Sequence, residues 1–389
     1  MELLRVEHIG SLARPIKLLD TQAKYDAGLI EREDLIKLED QLILAVIKSQ
    51  EKIGFPILSD GEFRRRNFQD SFGDAVAGYD APLTNKTYSQ WQKNNKSDFT
   101  QRVESGPQIP GPPVVTRRPV LQRLSLKRNI PLEEYKYVSA MANMPAKVTL
   151  IGPDRVAQRF DWESSKGIYD GLEDFISHVA LIQHEMIMEL LEAGCPYIHI
   201  DAPGYTAYVD QPSLQKMRSR GEDPAANLTM SIEADNKVIE GIKNVATGIH
   251  FCKGNERAVD PITGEIVPQW HREGFYDAIA EQIFTQLNHD RFMLEYDDER
   301  SGSFEALRFV PKGKIVVLGL VTTKSLRVES VDELLLRIED ASRYIDVDQL
   351  AISPQCGFAS GVGNSLPEDI QWKKLEVLLE TAEKVWGAK

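Results

Sequence analysis

LEDFISHVALIQHEMIMELLEAG (residues 172–194), followed at 197–201 by YIHID and at 246–252 by ATGIHFC, is the stretch on which the fold turns. The first segment spaces its apolar residues by three and four, the period of a helix that buries one face. The second and third are short apolar runs, each leading into a polar or glycine-containing loop, as strands do. Helix and strand alternating in this way imply a parallel sheet with right-handed crossovers.

Working outward, the same alternation covers the chain. Strand-length apolar runs recur at LLRVEHIGS (3–11), FPILSD (55–60), KVTLIGP (147–153), RFMLEYD (291–297), KIVVLGLV (314–321) and QLAISPQ (349–355). Helical periods separate them at 31–54, 276–288 and 331–345. With about eight strand–helix units, the expected class is α/β and the expected architecture a single (β/α)8 TIM barrel over residues 1–389. An open doubly wound sheet is the structural alternative.

Two stretches break the rhythm, at about 65–146 and 202–230. The longer carries a polar segment around Trp91 and the proline-rich GPQIPGPPVVTRRP. Long loops in compact domains are usually functional elaborations. It is expected to hold strands and helices that cap one barrel mouth, with Trp91 as a pocket wall; an exposed decoration used in oligomer contacts is the other reading.

The chain of 389 residues carries 46 Lys and Arg against 59 Asp and Glu, for a net charge of −13. No basic run interleaved with aromatics stands out, which argues against nucleic acid as a partner. No signal-peptide pattern and no apolar run near roughly 18 residues is found, so no membrane partner is expected and the location is expected to be cytoplasmic. Exposed barrel faces and the long insertion make a homodimer reasonable.

Three cysteines occur, at 195, 252 and 356. So few exclude a disulfide framework and favour metal ligation or nucleophilic chemistry for any conspicuous one. His250 and Cys252 stand where a strand ends, and positions i and i+2 of a strand face the same side. Both can therefore face the barrel axis at the C-terminal rim, where barrel enzymes keep their chemistry. On its own such a pair is also what core packing produces. Cys356, just past another apolar run and before a glycine, and Glu295, at the end of RFMLEYD, supply further ligands on the same rim. Imidazole, two thiolates and a carboxylate suit Zn2+. Cys195 precedes a strand instead of following one, and reads as a buried structural thiol.

These residues also carry a resemblance. His8-Ile9-Gly10-Ser11, Ser59-Asp60-Gly61-Glu62-Phe63-Arg64, Ile200-Asp201-Ala202-Pro203, His250-Phe-Cys252-Lys-Gly-Asn255, Leu294-Glu295-Tyr-Asp297, Leu318-Gly-Leu-Val-Thr-Thr-Lys324 and Pro354-Gln-Cys356-Gly resemble the cobalamin-independent methionine synthase family, in its catalytic barrel and its short single-barrel relatives. The resemblance implies zinc on His250, Cys252, Glu295 and Cys356. It implies a homocysteine-like thiol whose amino-acid part is held by the Ile9-Gly10-Ser11 loop, Glu62 and Asp201. It implies zinc-dependent alkyl transfer from a methylated folate or simpler donor, forming methionine.

Three departures bear on that expectation. Long family members carry a second barrel that helps bind the folate, for which this length has no room, so the alkyl donor is open. Asp201-Ala202-Pro203 stands where the family has Asp-Glu-Pro. Lys324 stands where the family has a histidine proposed to protonate the leaving group, so Lys324 is either an acid or a fixed cation, with Asp297 as a nearby acid. Asp201 read as a helix cap, an epoxyalkane:coenzyme M transferase-like thiol alkylation, and a metal-free barrel like uroporphyrinogen decarboxylase are the competing readings.

Overall fold

In the computed structural model, the described residues are 4–66, 68, 70–79, 119–158, 160, 165, 167–254, 256–259, 266–270, 272–359 and 366–387. Six parallel strands form one sheet in the order Leu350–Pro354, Ile315–Val321, Arg291–Glu295, Ala246–Phe251, Tyr197–Asp201 and Val148–Ile151. Two further staves join by single parallel bridges, Val6 to Ile352 and Leu58 to Ala146. The gap between those two is spanned by Ser59 Oγ donating to the Gly10 carbonyl at 2.8 Å and Leu12 N to the Gly61 carbonyl at 3.1 Å. Eight staves therefore close into a ring, the (β/α)8 barrel that the alternation predicts.

The strands read as unbroken apolar runs because a parallel strand under helices is buried on both faces, and Tyr197–Asp201 and Ile315–Val321 are buried at every position. The helix over 172–194 spans Leu172–Glu192, begins with Glu173 and Asp174 in its first turn, where carboxylates complement the helix dipole, and buries Phe175, Ile176, Val179, Met186 and Leu190. Gly194, at φ +83°, ends it. The Gly194 and Cys195 amides return to Leu191 and Leu190, leaving Pro196 to start the next strand.

The 65–146 stretch divides into two parts. Helix Ile130–Met141 links the second and third staves and packs against helices Arg32–Lys52 and Leu172–Glu192, so it belongs to the outer layer of the barrel. The added part pairs Val76–Tyr79 antiparallel with Val120–Leu126. Arg123 clamps that pair to Asp174 with bonds of 2.8 and 2.9 Å. Trp91 and the rest of 80–118 lie outside the described residues. The 202–230 stretch is helical: a 3-10 segment Pro203–Tyr208, then Gln211–Ser219 and the start of Pro224–Val238. A second short pair, Glu256–Val259 with Ile266–Trp270, follows Cys252 and has no counterpart in the strand pattern read above. Among the described residues, no helix is long and apolar enough to cross a membrane.

Inside the barrel, Leu4, Ile9, Ile57, Tyr197, Met293, Ile315, Val317 and Ala351 form an apolar cluster of their own. Gly319 is set where a Cβ would lie 2.7 Å from Gln355 Cα and 2.8 Å from the Leu294 carbonyl, both backbone atoms that cannot step aside. Gly319→Ala should therefore cost about 1–3 kcal/mol as overpacking, seen as a lower urea midpoint at unchanged slope; an unchanged midpoint refutes it.

Tyr205 donates to Asp235 Oδ2 at 2.7 Å and ties the 3-10 segment to helix Pro224–Val238. Burial pushes the Asp235 carboxyl up to about 8, against the Tyr205 hydrogen bond, which lowers it. The folded chain thus keeps a proton that the unfolded chain releases near ~4. The stabilisation is complete below that value and is lost as pH rises through about 8. Asp235→Asn should flatten the fall in stability between roughly pH 4 and 8, measured by denaturant midpoints across that range.

Candidate metal centre

His250 lies in strand Ala246–Phe251, Cys252 just beyond its end, and Cys356 two residues past strand Leu350–Pro354. All three are buried, and their ligand atoms lie within 4.8 Å of one another. The two sulfurs are 3.1 Å apart, far longer than the ~2.05 Å of a disulfide and somewhat closer than the about 3.8 Å of two thiolates on a tetrahedral zinc, from its Zn–S bonds. Gly254 N donates to Cys252 Sγ at 3.2 Å. Neither His250 ring nitrogen has a conventional hydrogen-bond partner; the ring faces the Cys356 sulfur.

The electrostatics fit a cation. The Cys356 sulfur and burial hold the Cys252 thiol well above its ordinary range. Burial alone would lower the His250 pKa, but Cys356, Asp201 and Glu295 together raise it. Both shifts express one deficit: too much negative charge for the space. A soft divalent ion relieves it by deprotonating the thiols outright, and buried imidazole with two sulfurs is a zinc donor set.

Glu295 is placed differently from the other three. It is fully buried, with Oε2 accepting from Lys253 N at 2.8 Å and Oε1 accepting from Lys324 Nζ and Arg300 Nη2, each at 3.0 Å. Burial pushes its pKa up to about 7, against the pull of Lys324. Lys324 is itself surrounded, at 2.9 Å from Asp297 and 3.0 Å from Asp298 in addition to Glu295. Burial opposes its charge, yet these carboxylates raise its pKa well above the ordinary lysine value. So tightly held a proton suits a fixed cation better than an acid working near neutral pH.

Next to the sulfurs lies an acidic end. Asp201 pairs in register with His250 across neighbouring strands. Asp60 Oδ2, Glu62 Oε2 and Asp201 Oδ1 are all buried without a hydrogen-bond partner. Burial raises the carboxyls of Glu62 and Asp201, each tempered by nearby cationic groups, Arg65 for both. Glu62 sits at φ +59°, a left-handed conformation rare for a side chain of its size that persists only where the surroundings hold it. It is held by its amide donating to Asp60 Oδ1 at 2.8 Å and by Thr149 Oγ1 donating to its Oε1 at 2.7 Å.

The Ile9-Gly10-Ser11 loop abuts both ends. A Cβ on Gly10 would stand 2.6 Å from Glu62 Oε1, and one on Gly357 2.1 Å from Ser11 Oγ. Ser11 receives Phe358 N at its carbonyl, 2.9 Å, and Ala359 N at its hydroxyl, 3.3 Å, which fastens this loop to that of Cys356. Cys195 lies apart, its thiol on the Tyr197 carbonyl at 3.4 Å and pushed up to about 12 by burial. Unforeseen from the residues were Arg300 on Glu295, and Glu7, Lys147 and His199 beneath Asp201. Strand parity offered the one clue, since His199 shares a face with Asp201.

Across residues 5–371 the sequence matches the family described as Cobalamin-independent synthase, Catalytic domain. A Bacillus subtilis (strain 168) protein named Uncharacterized protein YxjH is 31% identical over 386 residues, 98% of this chain and 94% of that one. The methionine synthase of Pyrococcus abyssi is 24% identical over 360 residues, 92% and 87% of the two chains. A solved B12-independent methionine synthase from Shewanella sp. W3-18-1, in complex with selenomethionine, has a TM-score of 0.70 at 20% identity, covering 98% of each chain, and shares the fold. With the match running from the first stave into the last outer helix, the chain belongs to the cobalamin-independent synthase catalytic-domain family.

Proposed function

We propose that this chain transfers a methyl group to the sulfur of homocysteine or a close amino-acid thiol, forming methionine, with zinc held by His250, Cys252, Cys356 and Glu295. The observation that supports it most is the meeting of two unlike ends: a nitrogen–sulfur donor set beside three buried carboxylates with unpartnered oxygens. Homocysteine carries a thiol at one end and an ammonium at the other. Zinc, when bound, lowers the pKa of a coordinated thiol so that it is a thiolate at neutral pH.

Glu62 and Asp201 bind the substrate ammonium, which replaces the charge their burial lacks. The Ile9-Gly10-Ser11 loop, pressed against Glu62, holds the rest of the amino acid and sets the sulfur's distance from the cysteines. Such fixed placement is itself a large part of catalysis for a two-reactant step. Lys324 and Arg300 hold Glu295, Asp297 and Asp298 together as one ion-paired cluster, and Asp297 is the group that would take up the proton the thiol gives up on becoming a thiolate and pass it to the departing donor. The donor is a methylated folate or a simpler methyl compound. A sulfonate thiol such as coenzyme M would need cations where Asp60, Glu62 and Asp201 stand.

Two measurements test this reading. About one zinc per chain is expected after loading, strongly reduced in Cys252→Ser and Cys356→Ser and retained in Cys195→Ser; a zinc-free preparation with full activity would sink the proposal. In a panel of thiols and methyl donors followed by mass spectrometry, homocysteine should be methylated, and Asp201→Asn and Glu62→Gln should each raise its KM by about tenfold or more, the scale of a lost charge-assisted hydrogen bond. Consumption of coenzyme M in preference to homocysteine would overturn the substrate.

A further inference from the structure

Beneath the rim lies a buried polar layer that the chemistry above does not use. Lys147 Nζ donates to Glu7 Oε2 at 2.7 Å, to the His8 carbonyl, and to His199 Nδ1 at 3.2 Å. An ammonium has three protons and no lone pair, so these three partners account for all of it. Glu7, shared with Arg291 at 2.8 Å, keeps a negative charge facing that ammonium. Nδ1 of His199 is therefore an acceptor, and the single proton of the neutral ring sits on Nε2. Burial and the Lys147 charge keep the ring neutral by holding its pKa well below the usual value.

Nε2 faces Asp201 Oδ1 at 3.4 Å, close but outside hydrogen-bond geometry, and neither atom has any other polar partner within hydrogen-bond reach. The two side chains share the inward face of one strand, two residues apart. A neutral donor at this place has a specific merit. A lysine or arginine would neutralise Asp201 and repel an arriving ammonium, whereas an imidazole N–H turns the carboxylate without spending its charge.

We infer that His199 is a positioning residue for substrate recognition: its tautomer set by Lys147, it orients Asp201 so that the other carboxylate oxygen meets the α-ammonium of the thiol substrate. This rests on the amino-acid thiol reading above. The chain Glu7–Lys147–His199–Asp201 makes the barrel interior a template for the acidic end of the site.

The test compares two ligands on zinc-loaded protein by isothermal titration: homocysteine, and 4-sulfanylbutanoate, which is the same thiol without the amino group. Wild type should prefer homocysteine. His199→Phe, which fills the space without a ring nitrogen, should weaken homocysteine about tenfold and leave 4-sulfanylbutanoate within about twofold. His199→Gln, with an acceptor for Lys147 and a donor for Asp201, should recover most of the loss. If wild type does not distinguish the two ligands, the amino-acid reading fails and the inference with it. If wild type distinguishes them and His199→Phe does so equally well, the inference alone fails. Should His199→Phe not fold, nitrogen NMR of histidine-labelled wild type, assigned by the signal lost in His199→Gln, decides: Nδ1 bare and Nε2 protonated is expected, and a proton on Nδ1 overturns it.

Discussion

Two sulfurs 3.1 Å apart, shut away from water beside an imidazole and a row of carboxylates, set the terms for the rest of this barrel. Such a group cannot carry its full negative charge without a cation, because the low-dielectric interior magnifies repulsion that water would screen. The pressure shows as a common direction: the pKa values of Cys252, His250 and Glu295 are all raised, by neighbouring negative charge and, for the two acids, by burial. Metal binding and proton release are then two descriptions of the same event.

The charges below the rim follow the same logic. Glu7 is shared by Lys147 and Arg291, so the buried layer under Asp201 is one positive charge in excess. Buried ion pairs are seldom net stabilising, since desolvation consumes most of the Coulombic gain. Their value here is direction. Lys147 and Arg291 face the axis where an apolar pair would pack at least as well, and the field they leave points at the acidic end of the site. On the far side, Lys324 and Arg300 perform the corresponding service for Glu295, Asp297 and Asp298.

Much of this was legible before any coordinates. Strand and helix alternation predicts the barrel because burial on both faces erases polar residues from the strands, a signal carried by each segment alone. The parity that puts His250 beside Cys252 is equally local. What was not legible depends on where loops turn. Glu295 stands at the expected strand end, yet its oxygens go to Lys324, Arg300 and the Lys253 amide, and no spacing rule selects an ion-pair partner across three loops. Strands are expected within 65–146, but the pair Val76–Tyr79 with Val120–Leu126 could not be placed there, because its first member carries only four residues and is too short to show a period. His199 was visible in principle, but a histidine in an apolar strand also reads as core.

The seam of the barrel has a consequence for how such a site comes into being. Residues 5–14 and 350–359, from opposite ends of the chain, are laced together by Glu7 and Ile352, by Ser11 with Phe358 and Ala359, and by Arg14 with the Ala359 carbonyl. The Ile9-Gly10-Ser11 loop lies on one side of that seam and Cys356 on the other. During synthesis, His250 and Cys252 leave the ribosome about a hundred residues before Cys356, at the roughly 5–20 residues per second of translation. Under the proposed function, a growing chain would offer only part of the chelate, a weak trap for any passing ion, and would complete the metal and substrate ends together when the last stave closes the ring.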